Sequence, residues 1–367
     1  MPAATSPRVW FRIAIAVALC GLGLLTLLMI GALNTGLGGL VAGMVLAAIP
    51  VPFYVALALS VDRYEKEPLW MLGMAFLWGA SGAVFIAFIL NSINSAIFGA
   101  VGGSGAAAFG GSVISAPLVE ETAKALALLV FFFWKKDEFD GVLDGVVYAG
   151  MVGLGFAMTE NVSYYGQALA SGGLAGTVFV RGVLAPFSHP LFTAMTGVGL
   201  GIARETTKRP LKVIAPLAGV ALAMALHGTW NLSASVGAAF LPVYVMVMMP
   251  AMIALVGIVL YAQARERRII RAHLAPYVQT GHLSPAEHLA LTVFGGRMKA
   301  LYAAMTAGGL AGYRREGRFQ QAASELAFLR WRTERGVTQA GAEYATIEAE
   351  YLRVLTESRA PQPFAYA

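Results

Sequence analysis

Five ionisable side chains, Glu120, Glu121, Glu160, His189 and His227, stand inside apolar stretches of this sequence. They fall in four short polar groups. The first is Glu120-Glu121-Thr122-Ala123-Lys124, the second Glu160-Asn161, the third the lone His189, and the fourth His227-Gly228-Thr229-Trp230-Asn231. Ionisable groups in such settings are costly and by default mark function. Three carboxylates and two imidazoles are suited to moving protons to and from water. Asn231 and the histidines add donors for an oxyanion. No convincing nucleophile accompanies them: Ser115 and Ser188 precede Glu120 and His189 but lack a Gly-x-Ser-x-Gly setting. The single cysteine, Cys20, lies in the first apolar run, where a packing role suits it, and it excludes an intrachain disulfide or a multi-cysteine metal site. The residues therefore favour hydrolysis by activated water over covalent catalysis. Two carboxylates and two histidines also suit zinc, with Glu120, Glu160, His189 and His227 as candidate ligands and a position left for water. The residues alone leave metal-free and metal-assisted chemistry open.

Each residue also has a structural reading. Glu120 and Glu121 lie four and three residues before Lys124 and share a helix face with it, so one of them can simply neutralise it. Arg181 reads as a snorkelling interfacial residue or the partner of a site carboxylate. Asn161 serves equally well as an interhelical hydrogen-bonding group. His227 and Asn231, four apart, point to one side of their helix, which favours a shared cavity.

The elements that position these groups are membrane spans. Of 367 residues, 58% are hydrophobic and only 13% charged; mean hydropathy is +0.68. Soluble domains carry about 25% charged residues. Apolar runs of spanning length fall at 13–32, 37–60, 70–91, 115–134, 142–164, 183–203, 213–232 and 240–262, giving about eight transmembrane helices in an all-α polytopic bundle. The first run reads as a retained span rather than a cleaved signal. Arg8, Arg12, Arg63, Lys66, Lys135, Lys136, Arg204, Lys208, Arg209, Lys212 and the cluster 265–271 all fall in alternate loops, whereas 33–37, 92–114 and 233–239 contain no Lys or Arg. The positive-inside rule then puts both termini in the cytoplasm. At 1.5 Å of rise per residue, Glu120, Glu121, His189 and His227 come out about 20 Å above the cytoplasmic face and Glu160 about 27 Å. One pocket in the outer half of the bilayer follows.

The net charge of +6 is concentrated after residue 264, where fourteen Lys and Arg face nine Asp and Glu. Beside a membrane this reflects topology or anionic lipid rather than nucleic acid. Three regions are expected: a cytoplasmic segment 1–12, a membrane region 13–263, and a cytoplasmic helical tail 264–367. In the tail, Ser284-Pro285-Ala286-Glu287 is a helix start, Gly295-Gly296 an interruption, and 319–335 and 339–358 are amphipathic helices. His273, His282 and His288 sit among polar neighbours and read as solvated; the tail's partner is unknown. Gly150, Gly153, Gly155, Gly197 and Gly201 read as helix-packing positions. Residues 62–68 read as a solvated turn, with Pro68 opening the next helix.

In order, Glu120-Glu121-x-x-Lys124, Phe156-x-x-x-Glu160-Asn161, His189 and His227-x-x-x-Asn231 resemble the PrsW family of intramembrane proteases over about residues 55–262. The Glu-Pro pair at Glu67-Pro68 resembles that family's acidic loop. The resemblance implies an endopeptidase of a bacterial inner membrane acting on membrane-anchored proteins, an anti-sigma factor for example. It implies Glu120 and Glu160 as the water-activating pair and His227 and Asn231 as oxyanion contacts. The family's frequent description as metalloprotease would instead make Glu and His residues zinc ligands. Prenyl-protein peptidases of the wider superfamily carry Arg and His where this chain has Lys124 and Glu160, which makes a CAAX-type prenyl-protein peptidase the enzymatic runner-up. A non-enzymatic scaffold or sensor and a proton-coupled transporter are the readings from other classes.

Overall fold

The computed structural model describes residues 7–136, 138–336 and 341–359, and all regular structure among them is helical. They form two compact units, one of residues 7–62 with Glu67–Val259, the other of Arg63–Lys66 with the described residues from Leu260 onward.

In the first unit, α1 (Pro7–Ile30) leads through a π-helical turn to α2 (Gly36–Ala48) and α3 (Val51–Val61). Next come α4 (Leu69–Leu77), α5 (Val84–Phe109), α6 (Ala116–Trp134) and α7 (Val142–Ser171). The short α8 (Leu174–Val178) precedes α9 (Ser188–Glu205), α10 (Leu211–Val236), α11 (Phe240–Val243) and α12 (Met249–Gln279), the last running on into the second unit. Of the expected segment 1–12, residues 1–6 lie outside the described residues, and α1 already includes Arg8 and Arg12.

Five continuous helical stretches among the described residues are long and apolar enough to cross a bilayer: Val9–Val61, Leu69–Trp134, Val142–Ser171, Leu211–Val236 and Phe240–Gln279. The first two, at 53 and 66 residues, far exceed the roughly 20 that one crossing needs. Both are folded back on themselves. At Gly103 (φ 75°) the chain reverses, so that Ser95 Oγ donates to Ala107 O at 3.3 Å and Asn94 to Ser115 Oγ at 2.8 Å. Residues 92–114 are thus a helical hairpin and not a loop between spans; glycine supplies the left-handed residue of the turn. At Gly36 (φ 67°) a second reversal sets α2 antiparallel to α7, with Gly39 against Gly166 and Gly43 against Val162. The eight expected spans correspond to five continuous stretches, two of them doubled, together with α9. α9 is not apolar enough to be counted with the five, because most of its residues are buried against protein and need no lipid-facing surface.

α7 is the central element, buried over most of its length. It runs parallel to α4, with Phe76 beside Gly155 and Ala80 accepting from Thr159 Oγ1 at 2.8 Å. It runs antiparallel to α9, with Gly145 on Gly197 and Val142 on Gly201. A Cβ on Gly153 would lie 2.7 Å from Pro190 N, so the helix bearing His189 can approach only because that residue is glycine. Gly150, expected to pack, faces open space.

The turn 62–68 is only partly solvated: Arg63 and Lys66 are exposed, but its acidic ends are not. Asp62 and Glu67 are buried, Asp62 Oδ2 accepts from Glu67 N at 2.6 Å, and Tyr148 donates its hydroxyl to Glu67 Oε2. Burial, reinforced by the negative charge of Asp144, pushes the Glu67 carboxyl up to about 12.

The second unit packs the end of α12, α13 (Pro285–Thr292), α14 (Gly296–Glu334) and α15 (Ala342–Arg359) around Leu274, Phe319, Leu326 and Phe328. Tyr64 belongs to the same core. Ser284 Oγ accepts from Glu287 N, closing the expected capping box, and Gly295 (φ 73°) separates α13 from α14. The helix expected at 319–335 begins at Gly296, with a kink at Gly308 and Gly309. The helix expected from 339 starts at Ala342, residues 337–340 lying outside the described ones. His273 is partly buried and bridges Ile269 O and Glu334.

Candidate active site

Glu120, Glu121 and Lys124 are buried on α6, beneath the π-helical turn Gly110–Ser115 that leads into it. Their neighbours come from α9 and α10. The Lys124 ammonium donates to Glu121 Oε1 at 2.8 Å, lies 3.6 Å from Glu120 Oε2 and 3.0 Å from His189 Nδ1, and sits over the Phe156 ring at 3.8 Å. Glu121 is saturated: Oε1 also meets His227 Nδ1 at 3.0 Å, and Oε2 accepts from Thr193 Oγ1 at 3.1 Å. A carboxylate can only accept, so Glu121 holds the proton on His227 Nδ1 and turns a lone pair at Nε2 inward. That Nε2 lies 3.8 Å from Glu120 Oε2. Phe192 stacks on the His227 ring at 5.0 Å and fixes its plane.

His189 is oriented in the same way by another carboxylate. Its Nε2 meets Glu160 Oε2 at 2.9 Å, which leaves Nδ1 as the acceptor facing Lys124. Glu160 Oε2 also pairs with the Arg181 guanidinium, whose Nε donates to Asn161 Oδ1 at 2.6 Å. Arg181 is carried on the π-helical turn Phe179–Leu184. The structure thus assigns Arg181 to a site carboxylate, and Asn161 to Arg181.

Of the expected residues, Glu120, Glu121, Lys124, Glu160, His189 and His227 form one connected cluster, with Arg181 and Asn161 at its rim. Asn231 does not join it, for its amide donates to Ser112 O at 2.8 Å. Four residues carry it about 6 Å farther along α10 than His227. There it ties the helix to the turn preceding α6. The sequence reading missed Asn91, which donates to Glu120 Oε1 at 3.3 Å and accepts from Ser115 Oγ at 2.8 Å. The spacing of Asn91, Asn94 and Ser95 on one helix face was the available signal. It also missed Thr193.

Glu120 Oε2 is buried without a hydrogen-bond partner. Ligand atoms of Glu120, His189 and His227 lie within 4.8 Å of one another. Two imidazoles and a carboxylate are a catalytic zinc donor set. The residues fit such an ion. Glu160, expected among the ligands, is not in this group; it supports His189 from behind. Charge points the same way. Three carboxylates face only Lys124 and Arg181 in this cluster, which leaves one negative charge for a further cation or proton to balance.

A small polar recess reaches the cluster past Asn161, Arg181, Ser188, His189 and Trp230. Next to it opens an apolar cavity of about 210 Å³ between α9, α10 and the start of α12.

Comparison with known proteins agrees with this picture. Residues 67–255 match the family described as PrsW family intramembrane metalloprotease. The chain is 36% identical to Protease PrsW of Geobacillus kaustophilus over 170 residues, 46% of this chain and 69% of that protein. It is 31% identical to Protease PrsW of Oceanobacillus iheyensis over 221 residues, 59% and 94% of the two chains. It is 31% identical to Protease PrsW of Bacillus subtilis over 173 residues, 46% and 72%. No solved structure matches the chain. The matched span holds the whole buried cluster from Asn91 to His227, and with these relatives covered over two thirds or more of their length, the chain belongs to the PrsW family of intramembrane metalloproteases.

Proposed function

We propose that Glu120, His189 and His227 form the reaction centre at which this membrane peptidase hydrolyses a peptide bond of a membrane-anchored protein. The observation that carries the reading is Glu120 Oε2, which has no hydrogen-bond partner and is buried beside the inward-facing Nε2 of His227. Glu120 Oε2, His227 Nε2 and His189 Nδ1 are the atoms that would hold a divalent ion. Bound there, the ion would polarise the scissile carbonyl and make a bound water acidic. Glu121 and Glu160 hold protons on the outer nitrogens of the two histidines, and so keep both lone pairs directed at one point. Lys124 lies against two of the atoms that would hold the ion, Glu120 Oε2 and His189 Nδ1, so it would give up His189 Nδ1 to a bound ion, and it is the nearest proton donor for the departing amine. Arg181 and Ser188, at the recess, are placed to receive backbone carbonyls of the substrate.

A metal-free version of the same chemistry has one observation in its favour. The Lys124 ammonium already stands against Glu120, Glu121 and His189. Glu120 would then take the proton from water directly.

We further propose a bacterial inner membrane with both termini in the cytoplasm. Arg12 at the start of α1 and Lys135 at the end of α6 both sit over the Trp70 ring, at 3.8 and 5.4 Å, so three helix ends share one basic face. This supports the positive-inside assignment.

The test uses full-length protein in proteoliposomes with a single-span substrate. Glu120→Gln, His189→Ala and His227→Ala should each lower cleavage by on the order of 100-fold or more while the protein elutes as a monodisperse species. Elemental analysis of the active preparation distinguishes the two versions: one zinc per chain, lost in the histidine variants, supports the metal. Normal cleavage by Glu120→Gln would remove the site assignment altogether.

A further inference from the structure

The apolar cavity beside the cluster has no part in the chemistry just described. We propose that it is a specificity subsite that takes one large apolar side chain of the substrate, next to the scissile bond; this rests on the protease reading above.

Size is the first support. At about 210 Å³ the cavity is smaller than the roughly 300–1,000 Å³ of pockets that enclose a whole small ligand. It is larger than the apolar cavity of about 150 Å³ that accepts a benzene ring. It therefore suits one Leu, Met or Phe side chain.

Its lining is the second. Leu191, Trp230, Met248 and Met252 supply the walls, and flexible thioethers adapt to varied apolar shapes.

Continuity with the reaction centre is the third, and it selects the occupant. Ala185, Ser188 and Trp230 line both the cavity and the polar recess that leads to His189. Trp230 lies three residues beyond His227 on α10, and Ser188 immediately precedes His189 on α9. A backbone crossing the recess past Arg181 and Ser188 would thus turn a neighbouring side chain into the cavity. The segment between recess and cavity is held from both sides. Tyr244 donates to Leu184 O at 2.9 Å and Tyr54 to Gly182 O at 3.3 Å, while the Tyr54 ring packs edge-on against Phe187 at 4.8 Å. A wall fixed in this way can discriminate between side chains. A lipid acyl chain is the competing occupant, since Met249 and Ile253 at the rim are exposed.

The test uses full-length protein in proteoliposomes and single-span substrates in which each residue flanking the mapped scissile bond is in turn Ala, Val, Leu or Phe. At one flanking position, wild type should prefer Leu to Ala in kcat/KM by on the order of 50-fold, the effect of burying three further carbons. Met248→Trp and Met252→Trp, which fill the cavity, should each reduce that ratio below about threefold. If both variants keep the wild-type ratio, or slow all substrates alike, the cavity holds lipid and the subsite is disproved. Binding is read separately. A substrate with p-benzoylphenylalanine at the same position, irradiated while bound to Glu120→Gln protein, should crosslink to Met248 or Met252. That crosslink, if the wild-type protein never cleaves the parent substrate, would overturn the protease reading alone; wild-type cleavage with crosslinks elsewhere would overturn the subsite alone.

Discussion

Lys124 provides the sharpest test of how the buried cluster is held together. Its side chain has no solvent exposure, nor has that of Glu121, 2.8 Å away, and Glu120 lies 3.6 Å away. With Lys124 and Arg181 both present, three carboxylates leave a net charge of −1; without Lys124 the figure is −2, and Glu121 keeps only His227 and Thr193 as donors. Lys124→Met preserves the length and apolar stem of the side chain while deleting the charge. Removing one partner of a buried pair costs about 3–5 kcal/mol, because the other is left uncompensated. For a chain of this size that is a fall of about 4–6 °C in Tm. Replacing both partners should be far milder, since an uncharged amide in place of the Glu121 carboxylate can still accept from His227 and Thr193. Lys124→Met/Glu121→Gln should therefore recover at least half of the loss. Thermal unfolding in detergent, followed by tryptophan fluorescence at fixed pH and salt, measures both variants. If Lys124→Met unfolds within about 0.5 kcal/mol of wild type, a size normal for surface substitutions, the cluster is not held by this cation. Absence of rescue by the second substitution would show that Lys124 acts through its packing on Phe156 instead.

Three other outcomes are expected. Glu67 is protonated when folded, up to about 12, but ionises near 4.5 when unfolded, so its contribution is full below pH 4.5 and is lost as pH rises, by up to about 1.4 kcal/mol per pH unit. Tm measured from pH 5.5 to 8.5 should fall less in Glu67→Gln than in wild type, and parallel curves would refute the assignment. Gly153→Ala should cost about 1–3 kcal/mol and displace His189, lowering cleavage, because its methyl group meets the backbone of His189 and Pro190 at 2.7–2.8 Å; Gly150→Ala, in open space on the same helix, should be neutral or slightly stabilising. Asn231→Ala should cost about 0.5–1.5 kcal/mol of stability and slow cleavage far less than His227→Ala, and equal losses of activity would return Asn231 to the reaction centre.

Much of the site could be read from sequence, since charged residues in apolar helices have few uses. Glu120, Glu121, Glu160, His189 and His227 stood out individually, and helical rise put them at similar depth before any contact was known. Periodicity could not reveal which nitrogen faces which carboxylate. That depends on the close approach of α7 and α9 at Gly145, Gly153 and Gly197, which no pattern within a single helix encodes. His227 and Asn231 do share a face, as their spacing requires, but that face meets α6 at one level and the preceding turn at the next. Asn91, the last residue of the run 70–91, was hidden because the hairpin closed by Gly103, which brings it beside Ser115 and Glu120, lies in residues 92–114 that read as a loop. The acidic turn misled for a related reason: Asp62 and Glu67 satisfy each other, and Tyr148, through contacts that charge counting cannot anticipate.

The core of the second unit is discontinuous in sequence. Tyr64 reaches it from the turn between α3 and α4, although every other buried member of that core lies beyond Leu260. During synthesis this tyrosine emerges long before its neighbours and must wait, uncovered, for the last stretch of chain. A fragment beginning at Leu260 would lack this ring, so biochemical work on the tail should supply Arg63–Lys66 as a fused peptide.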